Sequence, residues 1–250
     1  MKLGVVLPNE TADADPRAIV RLAQHAEDLG YASLWLPDHL LPPAPYGDVY
    51  GGVFEALTLL AHISAVTERI TLGTSVLILP LREPVLLAKQ VATLERLAPG
   101  RVILGAGVGW DRDEFAALGV SYNVRGKRTD ESIALVEHLH RLGTGTDRGV
   151  FAPQPTARVP LLIGGKSDAA LRRAARVGDL WQAYNVSIDE YRAMQDRLRE
   201  LAGDRTVSPG TVVRSADEDI DAWREAGAEH LALHPGSLDT AAERLAAFAR

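Results

Sequence analysis

Arg69 to Trp110, RITLGTSVLILPLREPVLLAKQVATLERLAPGRVILGAGVGW, is the stretch whose reading decides the fold. Ile70, Leu72 and the run Gly73-Thr74-Ser75-Val76 make a short apolar strand that ends among small residues. Pro84 opens the next helix at its first turn, where a missing N–H costs nothing. Val85, Ala88, Val91, Ala92, Leu94 and Leu97 then keep a helical apolar stripe. Val102 to Leu104 is a second strand, and it runs into Gly105, Gly107 and Gly109. Glycines at alternate positions let a flat or phosphorylated group approach the backbone closely. In a βα-barrel, ligands bind at that end of the strands.

The same unit recurs on both sides of this stretch. Leu3–Leu7, Ser33–Leu36, Val159–Ile163, Gly178–Gln182, Thr206–Val213 and Ala228–Leu233 read as further strands. Helices are expected from Asp15-Pro16 to Leu29, Phe54–Ala65, Lys127–Leu142, after Ser167, from Ser187 to Ala202, Asp217–Glu225 and Leu238–Arg250. Ser187 with Glu190 forms a capping box. Eight strands alternating with eight helices imply a parallel α/β sheet that closes into a (β/α)8 TIM barrel, with residues 1–250 as a single domain. An open doubly wound sheet is the alternative, but no glycine fingerprint follows strand one. The longest irregular stretches are Pro42–Gly52 and Gly143–Arg158, the usual places for lids or substrate walls.

Composition narrows the function classes. The 250 residues are 46% hydrophobic and 24% charged, as in an ordinary globular protein. A net charge of −6 without a basic stripe argues against nucleic acid. With no cysteine, disulfides and thiolate metal sites are impossible, and no HExxH or Asp-rich cluster suggests a metal. There is no GxSxG elbow for acyl transfer. MKLGVVLPNETAD carries no apolar run long enough for a signal peptide or membrane span, so a cytoplasmic protein is expected.

Several segments in register resemble the bacterial-luciferase-like superfamily of barrel oxidoreductases, and within it the branch that uses coenzyme F420. They are Leu34-Trp35-Leu36-Pro37-Asp38-His39, Gly73-Thr74-Ser75-Val76, Leu97-Ala98-Pro99-Gly100-Arg101, and Gly105-Ala106-Gly107-Val108-Gly109-Trp110. Arg125 to Glu131, Ile163-Gly164-Gly165-Lys166-Ser167 and Gly178-Asp179-Leu180-Trp181 continue the series. The match holds over about residues 1–185 and is looser beyond. Against the family the chain is short, between Leu142 and Pro160 and after Trp181. The resemblance implies hydride transfer between F420 and a small organic substrate, in a homodimer. An FMN-dependent monooxygenase and a non-catalytic flavin or deazaflavin binder are the alternatives.

The resemblance also assigns roles. Asp38 and His39 would line the ring, with His39 passing a proton, since its pKa lies near neutral. Asp38 could hold the imidazole's orientation; the plainer reading is a turn cap beside a part-exposed histidine. Thr74, Ser75 and Val76 would back the central ring, through a non-prolyl cis bond between Ser75 and Val76. Gly105, Gly107, Val108 and Gly109 would line its polar edge. Gly164, Gly165 and Ser167, between a strand and a helix, read as a phosphate cradle, or as a glycine turn followed by a serine cap. Lys166, Arg125 and Arg128 could add charge there, although the two arginines could equally pair with Asp130 and Glu131. His62, His138 and His140 read as structural; His230 and His234 flank the last strand, and His234 could reach the mouth. Trp110 stands where the family's sugar-phosphate dehydrogenases carry an acid. It forms an apolar wall with Leu40 and Leu79 for a neutral or hydrophobic substrate, or packs beneath a helix from Arg112 to Leu118.

Overall fold

The strand-then-helix repeat is realised in a computed structural model that describes residues 1–9, 14–42, 54–146, 149–214 and 218–249. In chain order the elements are β1 (Lys2–Val6), α1 (Pro16–Asp28), β2 (Ser33–Leu36), α2 (Ala56–Ser64), β3 (Thr71–Thr74), β4 (Leu77–Ile78), α3 (Pro84–Leu97) and β5 (Val102–Gly107). There follow α4 (Arg112–Ala117), α5 (Arg125–Leu142), β6 (Thr144–Thr146), β7 (Gly149–Val150), β8 (Leu161–Gly164) and α6 (Asp168–Val177). The chain continues with β9 (Leu180–Tyr184), α7 (Ile188–Ala202), β10 (Ser208–Val213), α8 (Ile220–Glu225), β11 (His230–Leu233) and α9 (Leu238–Phe248). Local signals set the helix starts: Asp15 accepts from Arg17 N at 2.9 Å with Pro16 in the first turn, and Ser187 and Glu190 form the expected capping box.

Strands β3, β2, β1, β11, β10, β9, β8 and β5 pair in that order, and β3–β5 pairing closes the ring. All of these pairings are parallel, so the eight-stranded barrel is the TIM architecture the alternation implied. Side chains alternate across each strand. Val5, Leu34, Leu36, Ile163 and Leu233 face the helices in the main core, while Val6, Trp35, Leu162, Val212 and Ala232 form a second cluster inside the barrel. Gly4 and Gly73 make room for the Trp35 indole: a Cβ on Gly73 would stand 2.3 Å from the ring.

Two expectations change. The strand expected through Val76 ends at Thr74 and resumes as β4, with a cis Ser75–Val76 peptide between the two pieces. Gly143–Arg158 is not irregular throughout, since β6 and β7 form an antiparallel ribbon within it. The far end of that segment is fastened by the buried Glu95 carboxylate of α3, which accepts from Thr156 N at 2.6 Å and Thr156 Oγ1 at 2.7 Å. Most of the Pro42–Gly52 loop, and the start of the helix expected at Asp217, lie outside the described residues. Among the described residues no helix is long and apolar enough to cross a membrane.

His230 occupies the barrel floor. It lies on the inner face with Ala232, Gly210 opposite leaves space for its ring, and neither ring nitrogen has a hydrogen-bond partner among the described residues. Burial, with the Lys2 charge nearby, lowers its pKa from 6.5 to about 4. The unfolded chain therefore takes up a proton between these values and the folded chain does not. Stability is complete above pH 6.5 and declines as pH falls toward 4, by about 3 kcal/mol over that window. Urea unfolding at stepped pH should show this decline, and His230→Leu should flatten it. An unchanged pH profile in the variant would assign the loss to other groups.

Candidate active site

The inner faces of the strands converge at their C-terminal ends on a cavity of ≈ 320 Å³, within the range of ligand sites. His39, Ser75, Val76, Gly107, Val108, Gly109, Gly164 and Gly165 all line it, although they come from four separate strand ends. Asp38, Trp110, Gln182, Tyr184, Arg214 and His234 complete much of the wall.

The glycines act through the chain's own packing. A Cβ on Gly107 would fall 2.4 Å from Val76 Cγ2, and one on Gly164 would fall 2.7 Å from Val76 Cγ1. Their missing side chains let Val76 seat against the barrel wall. Gly105 faces the carbonyl of Thr74, 1.7 Å from where its Cβ would be. It is not among the residues lining the cavity, and neither are Thr74, Arg125 and Ser167. The Thr74 hydroxyl is occupied by Gly105, donating to its carbonyl and accepting from its N–H, both at 2.9 Å. The Arg125 guanidinium lies 3.7 Å from the Tyr122 ring centroid and donates to Tyr122 O. Ser167 caps α6 by accepting from Ala170 N at 3.2 Å. The Gly165 N–H donates to the Gln182 carbonyl at 3.1 Å, so part of the expected phosphate cradle is spent inside the fold.

Electrostatics at His39 also differ from expectation. The buried Asp38 carboxylate pairs with Arg82, Nη2 at 2.7 Å and Nε at 3.2 Å, and accepts from Ile78 N at 2.9 Å. Arg82 also reaches Glu55 at 2.8 Å. Burial would lower the Arg82 pKa, but the charges and hydrogen bonds of Asp38 and Glu55 raise it. Orientation of the imidazole falls instead to Glu114 of α4, whose Oε2 is 3.0 Å from His39 Nδ1. Glu114 Oε1 accepts from Leu40 N at 2.7 Å and Leu41 N at 3.0 Å. Burial pushes the Glu114 carboxyl up, but the His39 and backbone hydrogen bonds outweigh it and hold the group ionised, below its ordinary pKa. Neither Glu114 nor Arg82 was singled out from sequence. The signal available for Glu114 was an acid inside a short helix directly after GVGW.

Trp110 lines the cavity with its ring edge-on to His39, centroids 5.8 Å apart at 76°. Its expected companions do not join it. Leu79 is fully buried in the core, and the apolar wall comes from Val76, Ile78, Val108 and Val212. His234 reaches the mouth as expected, with Nδ1 accepting from Gly236 N at 3.3 Å.

A ligand-sized cavity at the C-terminal ends of a closed βα-barrel, with a histidine held on a buried carboxylate, defines the chain as a barrel of enzyme type. It belongs to the luciferase-like monooxygenase family, whose model matches residues 1–249. An uncharacterized protein of Mycobacterium tuberculosis (strain ATCC 25618 / H37Rv) is 37% identical over 208 residues, 74% of this chain and 72% of that protein. An F420-dependent glucose-6-phosphate dehydrogenase of Beutenbergia cavernae is 38% identical over 176 residues, 66% of this chain and 51% of its own length, so the match spans about half of that enzyme. Among solved structures, an F420-dependent secondary alcohol dehydrogenase in complex with an F420-acetone adduct superposes with a TM-score of 0.80 at 17% identity, covering 97% of this chain and 96% of that one. Monooxygenase RslO1 from Streptomyces bottropensis gives 0.79 at 19% identity, covering 100% and 98%. At these identities the two structures share the fold.

Two outcomes follow from the packing. Asp38→Asn leaves the buried Arg82 charge short of its main partner, and urea unfolding should show a loss of about 3 kcal/mol. Wild-type stability would mean that Glu55 alone compensates Arg82. Gly107→Ala must displace Val76, at a cost of about 1–3 kcal/mol in the same measurement.

Proposed function

We propose that this protein is an oxidoreductase that uses coenzyme F420 to move hydride to or from a small organic substrate. The observation that carries the reading is the convergence of His39, Ser75, Val76, Gly107 and Gly164–Gly165 on one cavity at the barrel mouth. The relatives named F420-dependent glucose-6-phosphate dehydrogenases, at 34–38% identity for two of them, favour the deazaflavin over FMN. Trp110 at the cavity wall, with Val108 and Val212, favours a neutral or apolar substrate over a sugar phosphate.

The residues present fit a flat heterocycle. Val76 offers an apolar surface backed by Gly107 and Gly164, and Ser75 and Gln182 set polar atoms beside it. When bound, F420 supplies the carbon centre that accepts or gives up hydride. The protein supplies the proton. His39 is held at Nδ1 by the Glu114 carboxylate, which fixes the ring plane and favours a proton on Nδ1; Nε2 is then the nitrogen that takes up or delivers one. Ionised Glu114 also stabilises the imidazolium formed when His39 takes up that proton. Trp110, edge-on to the imidazole, covers one side of it.

Titrating the protein with F420 and with FMN, by absorbance and by quenching of cofactor fluorescence, tests the binding step. Saturable binding of F420 is expected; tighter binding of FMN would shift the reading to a flavin monooxygenase, and no binding of either would overturn it. His39→Asn should keep most of the cofactor affinity but slow single-turnover reduction by roughly 10²–10⁴-fold. Unchanged reduction kinetics with intact binding would remove His39 from the proton step. Binding without turnover of any alcohol, aldehyde or ketone would leave a cofactor-binding barrel.

A further inference from the structure

Gln182 sits on the inner face of β9 between Leu180 and Tyr184, at a position that sequence reading passed over. Its residue is 2% exposed, yet it lines the cavity. Its Oε1 accepts the Ser75 hydroxyl at 2.6 Å, and its backbone carbonyl accepts from Gly165 N. Its Nε2 is buried and has no hydrogen-bond partner among the described residues. A buried side-chain donor left without an acceptor is rare in folded proteins and destabilises them. Here the Ser75 bond commits Oε1 and therefore turns the amino end of the amide away from the β3–β4 junction.

Other polar groups line this side of the mouth. Tyr184, Arg214 and His234, at the ends of β9, β10 and β11, line the same cavity. Arg214 donates to the Tyr184 hydroxyl at 2.5 Å and has no carboxylate partner among the described residues. Among the described residues the one carboxylate lining the cavity, Asp38, is already taken by Arg82 and Ile78 N. The amino end of Gln182 thus offers a buried donor at the cavity wall, and what binds against it must offer an acceptor.

We infer that the Gln182 amide is a ligand-binding group that donates a hydrogen bond to a carbonyl oxygen or unprotonated ring nitrogen of the bound heterocyclic cofactor, with Ser75 setting the direction of that donor. The inference rests on the cofactor reading above and adds to it a specific contact. Gln182 meets the cofactor, and Ser75 acts through Gln182 as a positioning residue. Three variants separate the roles. Gln182→Glu keeps an acceptor for Ser75 but replaces the donor with a carboxylate. Gln182→Met keeps the volume and removes both polar ends. Ser75→Ala keeps the amide but frees its rotation.

The test is titration of wild-type protein and these variants with F420 and with FMN, read by cofactor fluorescence and by the absorbance maximum of the bound form. Thermal unfolding of each ligand-free protein is measured alongside. Gln182→Glu should bind at least tenfold more weakly and shift the bound absorbance maximum, because an acceptor now faces an acceptor. Gln182→Met should lose less, and Ser75→Ala only a few-fold. Ligand-free Gln182→Met should melt close to wild type, since loss of the Ser75 hydrogen bond to Oε1 is offset by removal of a buried amino group that has no partner among the described residues. Wild-type affinity and spectrum in both Gln182 variants would overturn the inference while leaving the cofactor reading intact. A lowered melting temperature with unchanged affinity would overturn it too, by making Gln182 a packing residue. Failure of the wild-type protein to bind either cofactor would overturn both.

Discussion

The barrel wall accommodates the junction between β3 and β4 only because side chains are missing opposite it. Gly105 lies against the Thr74 carbonyl, and Gly107 and Gly164 flank the Val76 side chain on two sides. Any Cβ at these positions would stand inside contact distance of a neighbour, and interiors are packed too densely to absorb that freely. The Thr74 hydroxyl then ties the junction to β5 with two hydrogen bonds. The cavity above inherits its shape from this arrangement: an apolar surface at Val76 with polar groups from Ser75 and Gln182 beside it.

A second constraint is the supply of acceptors for backbone N–H groups where strands pass into loops. Carboxylates meet much of it here. Glu27 gathers the N–H groups of Glu68, Arg69 and Ile70, and Glu95 takes Gly100 and Thr156. Asp38 takes Ile78, Asp179 takes Leu161, and Glu114 takes Leu40 and Leu41. At the mouth the same habit reaches a cavity side chain. The carboxylate that ties down the chain after β2 also holds the His39 imidazole, so the loop and the ring are positioned by the same group.

The two histidines of the last strand show how one pattern serves opposite ends of the barrel. His230, Ala232 and His234 share the inner face by the alternation of the strand. His230 lies buried at the floor, near the Lys2 charge, and stays neutral well below ordinary histidine pH. His234 emerges at the mouth, where a backbone N–H engages its Nδ1. The floor histidine depends on Gly210 across from it, a relation visible only once the register of β10 and β11 is known.

By itself the sequence determined the barrel, because alternating apolar strands and capped amphipathic helices carry local, periodic signals that need no partner to be read. It also marked the strand ends that meet at one cavity, through the small residues Ser75, Gly107 and Gly165. What only the tertiary structure decided are the pairings between distant segments. Asp38 belongs to Arg82 and His39 to Glu114, 75 residues away; Ser75 belongs to Gln182, 107 residues away. Such partners are chosen by strand order and register around the closed ring, and a charged or amide side chain looks the same in sequence whether it ends in water, in an ion pair or at the wall of a site. The glycines carry the same lesson: Gly105, Gly107 and Gly109 were legible as points of close approach, but only the packed barrel shows that Thr74, Val76 and Ile78 are what approaches.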